Sequence, residues 1–410
     1  MKKNYYILFA VLMCTLFLSG CTKNQKKENI SLTLWTPAQE EDFTKDAIQD
    51  FIRIHKNEAN FDIKIQTEEI EDVKSKLLDS SKQSADIFHF ASDQYTDLQE
   101  AGILAPIDYD KDIVIKECGG SSASIIKEIS QYSSLYAYPA TNSNGYFLYY
   151  NKKYYEEYDV ASLDRILYIA AKNKKYFAMD WNSGWYLYSF FAAADKTVNI
   201  SADIASNYCD FNSTHGEYSG VDVVKAMLKI ASHPGFKNVP SDNLLSTMKN
   251  NNVIAVVNGT WNAQFFKELW GKDCGAVKLP TFTMKGDQVQ MGSFAGYKYL
   301  GVNSKGHHKK WAMKIARWLT TYKYQMIRYK TTGECPANTD ASSSYKVQIS
   351  APIAALNQQS QYATMQNVLD SYWEPMEKFG KIIVAGNPGK EDLQALLDKT
   401  VEQIEAVPQS

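Results

Sequence analysis

The chain has 410 residues, with 44 Lys and Arg against 46 Asp and Glu and a formal charge of −2 at pH 7. That balance, with no basic stripe anywhere along the chain, excludes a nucleic-acid partner. The length exceeds what a single hydrophobic core usually holds, so two lobes are expected.

At the start, Lys2-Lys3 is followed by an apolar run from Tyr5 to Leu18 broken only by Thr15, the pattern of a secretory signal. The run is short for a membrane span, which needs roughly 20 apolar residues. It ends in Leu18-Ser19-Gly20-Cys21, which resembles a bacterial lipobox. Residues 1–20 are therefore expected to be removed and Cys21 to carry the acyl chains that anchor the protein on the extracellular face of the cell membrane. The alternative is an ordinary signal peptide with a chance Cys. Residues 21–29 form the tether and a leash, since Thr22 to Asn29 contains no apolar residue and cannot pack.

The folded part is expected from Ile30. Ser31–Trp35 alternates as a strand, Asp42–Ile54 has helical spacing, and Phe61–Ile65 alternates again. Ile70–Leu78 is helix-like, Ala85–Phe90 is a third strand, and Asp93–Ala101 is a helix ended by Gly102. Strand, helix, strand, helix, strand predicts an α/β lobe with crossover helices and parallel-type sheets. Leu135–Asn151, two aromatic-rich runs around a polar centre, suits a segment crossing between lobes. Helices at Ser162–Ala171 and Gly220–Ser232 and a buried strand at Val253–Val257 then belong to a second lobe. Tyr297–Val302 is a further strand, and Lys309–Leu319 and Glu391–Ile404 are helices. The expected organisation is residues 30–142 and 296–342 in the first lobe, with 143–295 and the C-terminal helices of 343–410 in the second. Cys118, Cys209, Cys274 and Cys335 contain no CxxC spacing and leave three pairings or free thiols open. His89, His307 and His308 offer no ligand spacing, so neither a metal nor a cofactor is expected.

Six blocks in order carry a resemblance over the whole mature chain. They are Leu32-Thr-Leu-Trp35; Ala85-Asp-Ile-Phe with Gln99-Glu-Ala-Gly-Ile-Leu104; Tyr138-Pro-Ala with Tyr149-Tyr-Asn-Lys152; Val257-Asn-Gly-Thr-Trp261; Leu279-Pro280; and Gly333-Glu-Cys-Pro-Ala337. Together they resemble the family 1 extracellular solute-binding proteins of ABC importers, and among these the maltodextrin-binding lipoproteins. The resemblance implies a two-lobed, type II periplasmic-binding-protein-like fold with a hinge cleft. It also implies a monomeric receptor, not an enzyme, that hands a carbohydrate, most simply an oligosaccharide, to the permease subunits of an importer. A Lys-, Asn- and Tyr-rich composition suits a Gram-positive host.

A sugar site needs flat aromatic faces for the C–H surfaces and planar polar groups for the hydroxyls. Trp261 follows the strand end Asn258-Gly259-Thr260, where open α/β sheets bind ligands. The resemblance places stacking aromatics there, at Trp185 in the polar-aromatic stretch Asp180–Tyr186, which reads as a loop, and at Trp373. Asp93, directly after a strand, is the leading acceptor, although its position also suits a helix N-cap. Phe90, Trp35, Gln39 and Glu40 are expected on the same rim by loop position. Asn144 stands in the crossover where maltodextrin binders tend to carry a carboxylate. Three other functions stay open: a non-sugar ligand, signalling to a membrane sensor, and a surface glycoside hydrolase. The last would need two carboxylates about 5–9.5 Å apart.

Overall fold

Period-two apolar runs followed by period-3.6 runs dictate alternating strands and helices, and the computed structural model shows them for residues 27–79, 84–131, 133–201, 206–250 and 252–407. The signal stretch, Cys21 and the leash as far as Lys26 lie outside the described residues. In chain order, the elements that build the site begin with β1 (Glu28–Thr36), α1 (Glu41–His55), β2 (Ala59–Thr67), α2 (Ile70–Leu78), β3 (Ile87–Ala91) and α3 (Tyr95–Glu100). Next come β4 (Tyr138–Asn151), β5 (Tyr176–Met179), α4 (Gly184–Ala192), β6 (Phe236–Asn238), α5 (Ser241–Lys249), β7 (Val253–Gly259) and β8 (Cys274–Val277). The chain then returns through β9 (Ser293–Val302), α6 (Lys309–Leu319), α7 (Tyr322–Thr332), β10 (Ala363–Met365), α8 (Trp373–Val384) and α9 (Leu393–Ile404).

Strand β1 starts at Glu28 rather than Ile30. Glu28 and Asn29 pair with Ala59 and Asn60 of β2, and backbone pairing at a sheet edge does not require apolar side chains. α1 forms because Phe43, Ala47, Ile48 and Phe51 fall on one buried face, with Glu41 and Asp42 in the first turn and Arg53 in the last, charges that complement the helix dipole.

Ten strands join in the order β6-β5-β7-β4-β9-β3-β1-β2, with β8 added on β4 and β10 on β9. The outer strands run parallel: β1 with β2 and β3, and β5 with β6 and β7. β4 and β9 are long, antiparallel to each other, and pass through the middle. The first half of β4 pairs with β9, and its second half pairs with β7 and β8.

Two large cores flank this crossing. One gathers β1, β3, α1 and α6 around Leu34, Phe51, Phe88, Leu98, Tyr299 and Ile315. The other gathers α4, α8 and α9 around Leu148, Trp181, Phe190, Phe211, Tyr372 and Leu397. Cys118, Cys209 and Cys335 are buried and Cys274 half-buried, all as free thiols.

The first lobe also buries a charge pair. Arg328 Nε on α7 donates to Glu40 Oε2 at 2.8 Å, and each side chain is 1% exposed. Removing one partner of such a pair strands the other charge in a low-dielectric interior. Arg328→Met alone should therefore lower the unfolding free energy in urea by about 3–5 kcal/mol. Adding Glu40→Gln should recover part of that loss; a double variant as unstable as the single would show that packing rather than charge sets the cost.

Candidate functional site

The second lobe supplies an aromatic floor. Trp261 lies on the turn Thr260–Asn262 that follows β7, and its ring covers Gly259 so closely that a Cβ there would fall 1.8 Å from a ring carbon. Only glycine leaves room for the indole in that place. Trp185, expected in a loop, is instead the second residue of α4. Its ring centroid is 5.5 Å from that of Trp261, at 37°. Tyr146 on β4 meets Trp185 edge-on at 4.7 Å and donates its hydroxyl to the Trp185 carbonyl at 2.7 Å. The Trp185 indole N–H is shielded from solvent and has no acceptor, so a donor is left over.

Trp373 opens α8. The starts of α4 and α8 are held together by the Tyr372 hydroxyl, which donates to the Gly184 carbonyl at 2.8 Å. Gly184 also lies so close to Met376 that a Cβ would be 2.8 Å from the Met376 Cβ. One glycine thus lets two helix starts, each carrying a candidate stacking ring, approach one another.

The first lobe and the crossing strands supply the polar side. Asp93 sits on the turn Ser92–Gln94 between β3 and α3. Ser92 Oγ accepts from the Tyr297 N–H at 3.2 Å. Gly296 stands opposite Asn144 in the β4–β9 register, and a Cβ on Gly296 would lie 2.6 Å from Ser92 Oγ and 3.3 Å from Asn144 Nδ2. Asn144 and the Ser92–Asp93 turn therefore meet where the strands cross.

Asp93 does not cap a helix. The residue before α3 is Gln94, and no side-chain cap bond forms there. Asp93 Oδ1 is sealed from solvent and has no hydrogen-bond partner. Burial pushes its carboxyl up to about 6, with nearby Lys74 opposing and Glu71 and Asp370 adding to the rise.

Three expected rim residues belong to the first-lobe interior instead. Trp35 is 3% exposed and donates Nε1–H to Gln66 Oε1 at 2.9 Å. Phe90 is fully buried between Phe88 and Tyr299. β3 is buried along its whole length and β1 over its last three residues, Leu34 to Thr36, so their ends stay inside where a loop-position argument puts them on a rim. Glu40 turns inward to Arg328, as described above. Gln39 is exposed on the turn after β1.

Two lysines were missed in the sequence. Lys298 on β9 is 5% exposed, ion-paired to Glu334, with Nζ 5.3 Å from the Trp261 ring centroid. Burial opposes its charge, but Glu334 outweighs it and raises the pKa. Lys74 on α2 is bonded to Asp97 and Asp370. The signal for both was present: each is a charge inside an apolar pattern, a place where an unpaired lysine would be costly.

Among the described residues no group of three or more His, Cys, Asp or Glu side chains is arranged to hold a metal. A separate hollow of about 640 Å³, lined by Pro106, Asp108, Asp110, Asp112 and Ser134 among others, draws on none of the candidate residues.

The fold has close counterparts. A structure solved with acarbose superposes with a TM-score of 0.80 at 26% identity, covering 92% of this chain and 99% of the other. The maltodextrin-binding protein MalE1 from L. casei BL23 without ligand matches at 0.73 and 22%, over 92% and 99%. The Thermus thermophilus maltotriose-binding protein bound with maltotriose matches at 0.76 and 19%, over 91% and 98%. No curated protein sequence matches significantly. The family model for bacterial extracellular solute-binding proteins matches residues 48–355. With that match and two lobes joined by crossing strands, the chain belongs to the bacterial extracellular solute-binding protein family.

Proposed function

We propose that the protein is a lipid-anchored receptor that captures a neutral oligosaccharide between its lobes and delivers it to the permease of an ABC importer. The observation that carries the ligand class is the pairing of Trp185 and Trp261, 5.5 Å apart, with an unpartnered carboxylate oxygen on Asp93. Indole faces suit the C–H surfaces of pyranose rings, and a carboxylate makes strong hydrogen bonds to hydroxyl donors. Asn144 can offer both a donor and an acceptor. Trp373 extends the aromatic set. The structural relative solved with acarbose supports the same class. Cys21 as the acylated residue, and removal of residues 1–20, rest on the sequence alone.

Charge narrows the ligand further. The two lysines that reach the site are already ion-paired, Lys298 with Glu334 and Lys74 with Asp97 and Asp370. Neither is free to neutralise a phosphate or a uronate, and Asp93 repels both.

Thermal unfolding of residues 27–410 against saccharides, sugar phosphates, uronates and amino acids tests the proposal. A neutral oligosaccharide at 100 times its dissociation constant should add about 2.7 kcal/mol. A response to amino acids or sugar phosphates alone would refute the ligand class. Trp261→Ala should weaken saccharide affinity by about 10- to 100-fold while leaving the fold intact; unchanged affinity by calorimetry would remove Trp261 from the site.

Asp93 should show a trade of stability for binding. Its folded pKa, about 6, lies above the ordinary unfolded value of about 3.9. The folded state thus holds the proton more tightly, and stability is lost as pH rises through 6. Lys74, Glu71, Asp370 and Glu128 are the charged groups that act on this carboxyl. Asp93→Asn should raise unliganded stability at pH 7.5 by about 1–3 kcal/mol, lose that gain near pH 4, and weaken saccharide binding. Equal stability of variant and wild type at both pH values would contradict the buried charge.

A further inference from the structure

Lys74 occupies a position that helical periodicity reserves for the interior. On α2 the buried residues are Ile70, Val73, Lys74 and Leu77, the i, i+3, i+4, i+7 stripe of an amphipathic helix. An ammonium in such a stripe is stable only with partners. Lys74 has two. Its Nζ donates to Asp97 Oδ2 on α3 at 2.6 Å and to Asp370 Oδ1. Burial works against the charge, yet the bonds to Asp370 and Asp97 outweigh it and the pKa is raised.

The two carboxylates come from different lobes. Val73 and Leu77, beside Lys74, pack in the first core, and Leu98, beside Asp97, packs with them. Asp370 begins the turn Asp370–Tyr372, and Tyr372 and Met376 pack in the second core. The ion pair therefore spans the lobes through side chains that lie on neither crossing strand, β4 nor β9. At one end it fixes the turn that leads directly into Trp373. At the other it is tied to α3, four residues past Asp93, whose carboxyl lies within its field.

Building on the receptor function proposed above, we infer that Lys74 is a positioning residue for ligand capture. Its bond to Asp370 holds the Trp373 turn of the second lobe against the first and so stabilises the closed arrangement. Ligand affinity scales with the fraction of molecules in the binding-competent state. A latch that favours closure raises affinity without being a ligand contact, and its loss should act mainly on dissociation.

Asp370 has a side chain that is 65% exposed, so Asp370→Asn is the primary variant and does not disturb a core. Small-angle scattering without ligand should show a larger radius of gyration for Asp370→Asn than for wild type. Maltotriose affinity by calorimetry should fall about three- to tenfold. High salt should weaken binding by wild type and leave the variant nearly unaffected. Lys74→Arg should keep the scattering profile and most of the affinity, and Lys74→Met should lose both; a purely structural lysine would not give this rescue with the matching Asp370 effect. Identical scattering and identical affinity for Asp370→Asn and wild type would overturn the inference. If wild type binds no saccharide, the receptor function fails, and the ligand-free scattering comparison alone decides for or against the latch.

Discussion

Every candidate contact in the cleft depends on two strands that belong to both lobes. β4 and β9 hydrogen-bond to each other through the middle of one continuous sheet, with register shifts at Gly296/Lys298 and Lys298/Tyr299. Such irregularities bend a strand and re-aim its side chains. Here they fall where Lys298 turns toward Trp261 and where Gly296 makes room for Ser92 and Asn144. The crossing thus joins the two lobes and, in the proposed receptor, forms part of the site wall. Motion between the lobes must pass through the same backbone that positions the polar groups.

The charges divide into two kinds. In the first-lobe interior Glu40 pairs with Arg328, and on the crossing strand beside Trp261 Lys298 pairs with Glu334. Glu40 Oε1, Glu334 Oε2 and Arg328 Nη2 are left without partners. His89 near them is held neutral by burial and by Arg328. Near the cleft, Asp93 keeps an unpartnered oxygen and Lys74 bridges outward to the other lobe. Buried pairs contribute little net stability but fix geometry when every partner is present. The unpaired carboxylate is destabilising until something donates to it, and a ligand hydroxyl would do so. An unpartnered carboxylate at the proposed place of binding, ready for a hydroxyl donor, is what a receptor that closes on its ligand requires.

Much of the fold was legible in the sequence. Ile70–Leu78 and Lys309–Leu319 have the expected bounds, because a full apolar stripe leaves little freedom in where a helix ends. Crossing strand β4 was visible as two aromatic runs too extended for a helix. Local chemistry failed to reveal which loop residues face inward. Trp35 and Phe90 stand at strand ends, as site residues do, but the ends of these inner strands are buried and the sequence does not say which ends emerge. Glu40 was read as a rim acceptor since its partner, Arg328, lies 288 positions away. Trp185 was placed in a loop because α4 is apolar nearly all round and gives no periodic start signal. Lys74 and Lys298 were anomalies in apolar patterns, readable as functional only once their partners were known.

In the proposed receptor a neutral saccharide lies between Trp185, Trp261 and Asp93. A crystal structure of the protein with maltotriose tests it most directly. The expected result is pyranose rings against the indoles of Trp261 and Trp185 and a sugar hydroxyl donating to Asp93 Oδ1. A saccharide bound elsewhere, for instance in the hollow lined by Asp108, Asp110 and Asp112, with the indoles and Asp93 untouched, would contradict it.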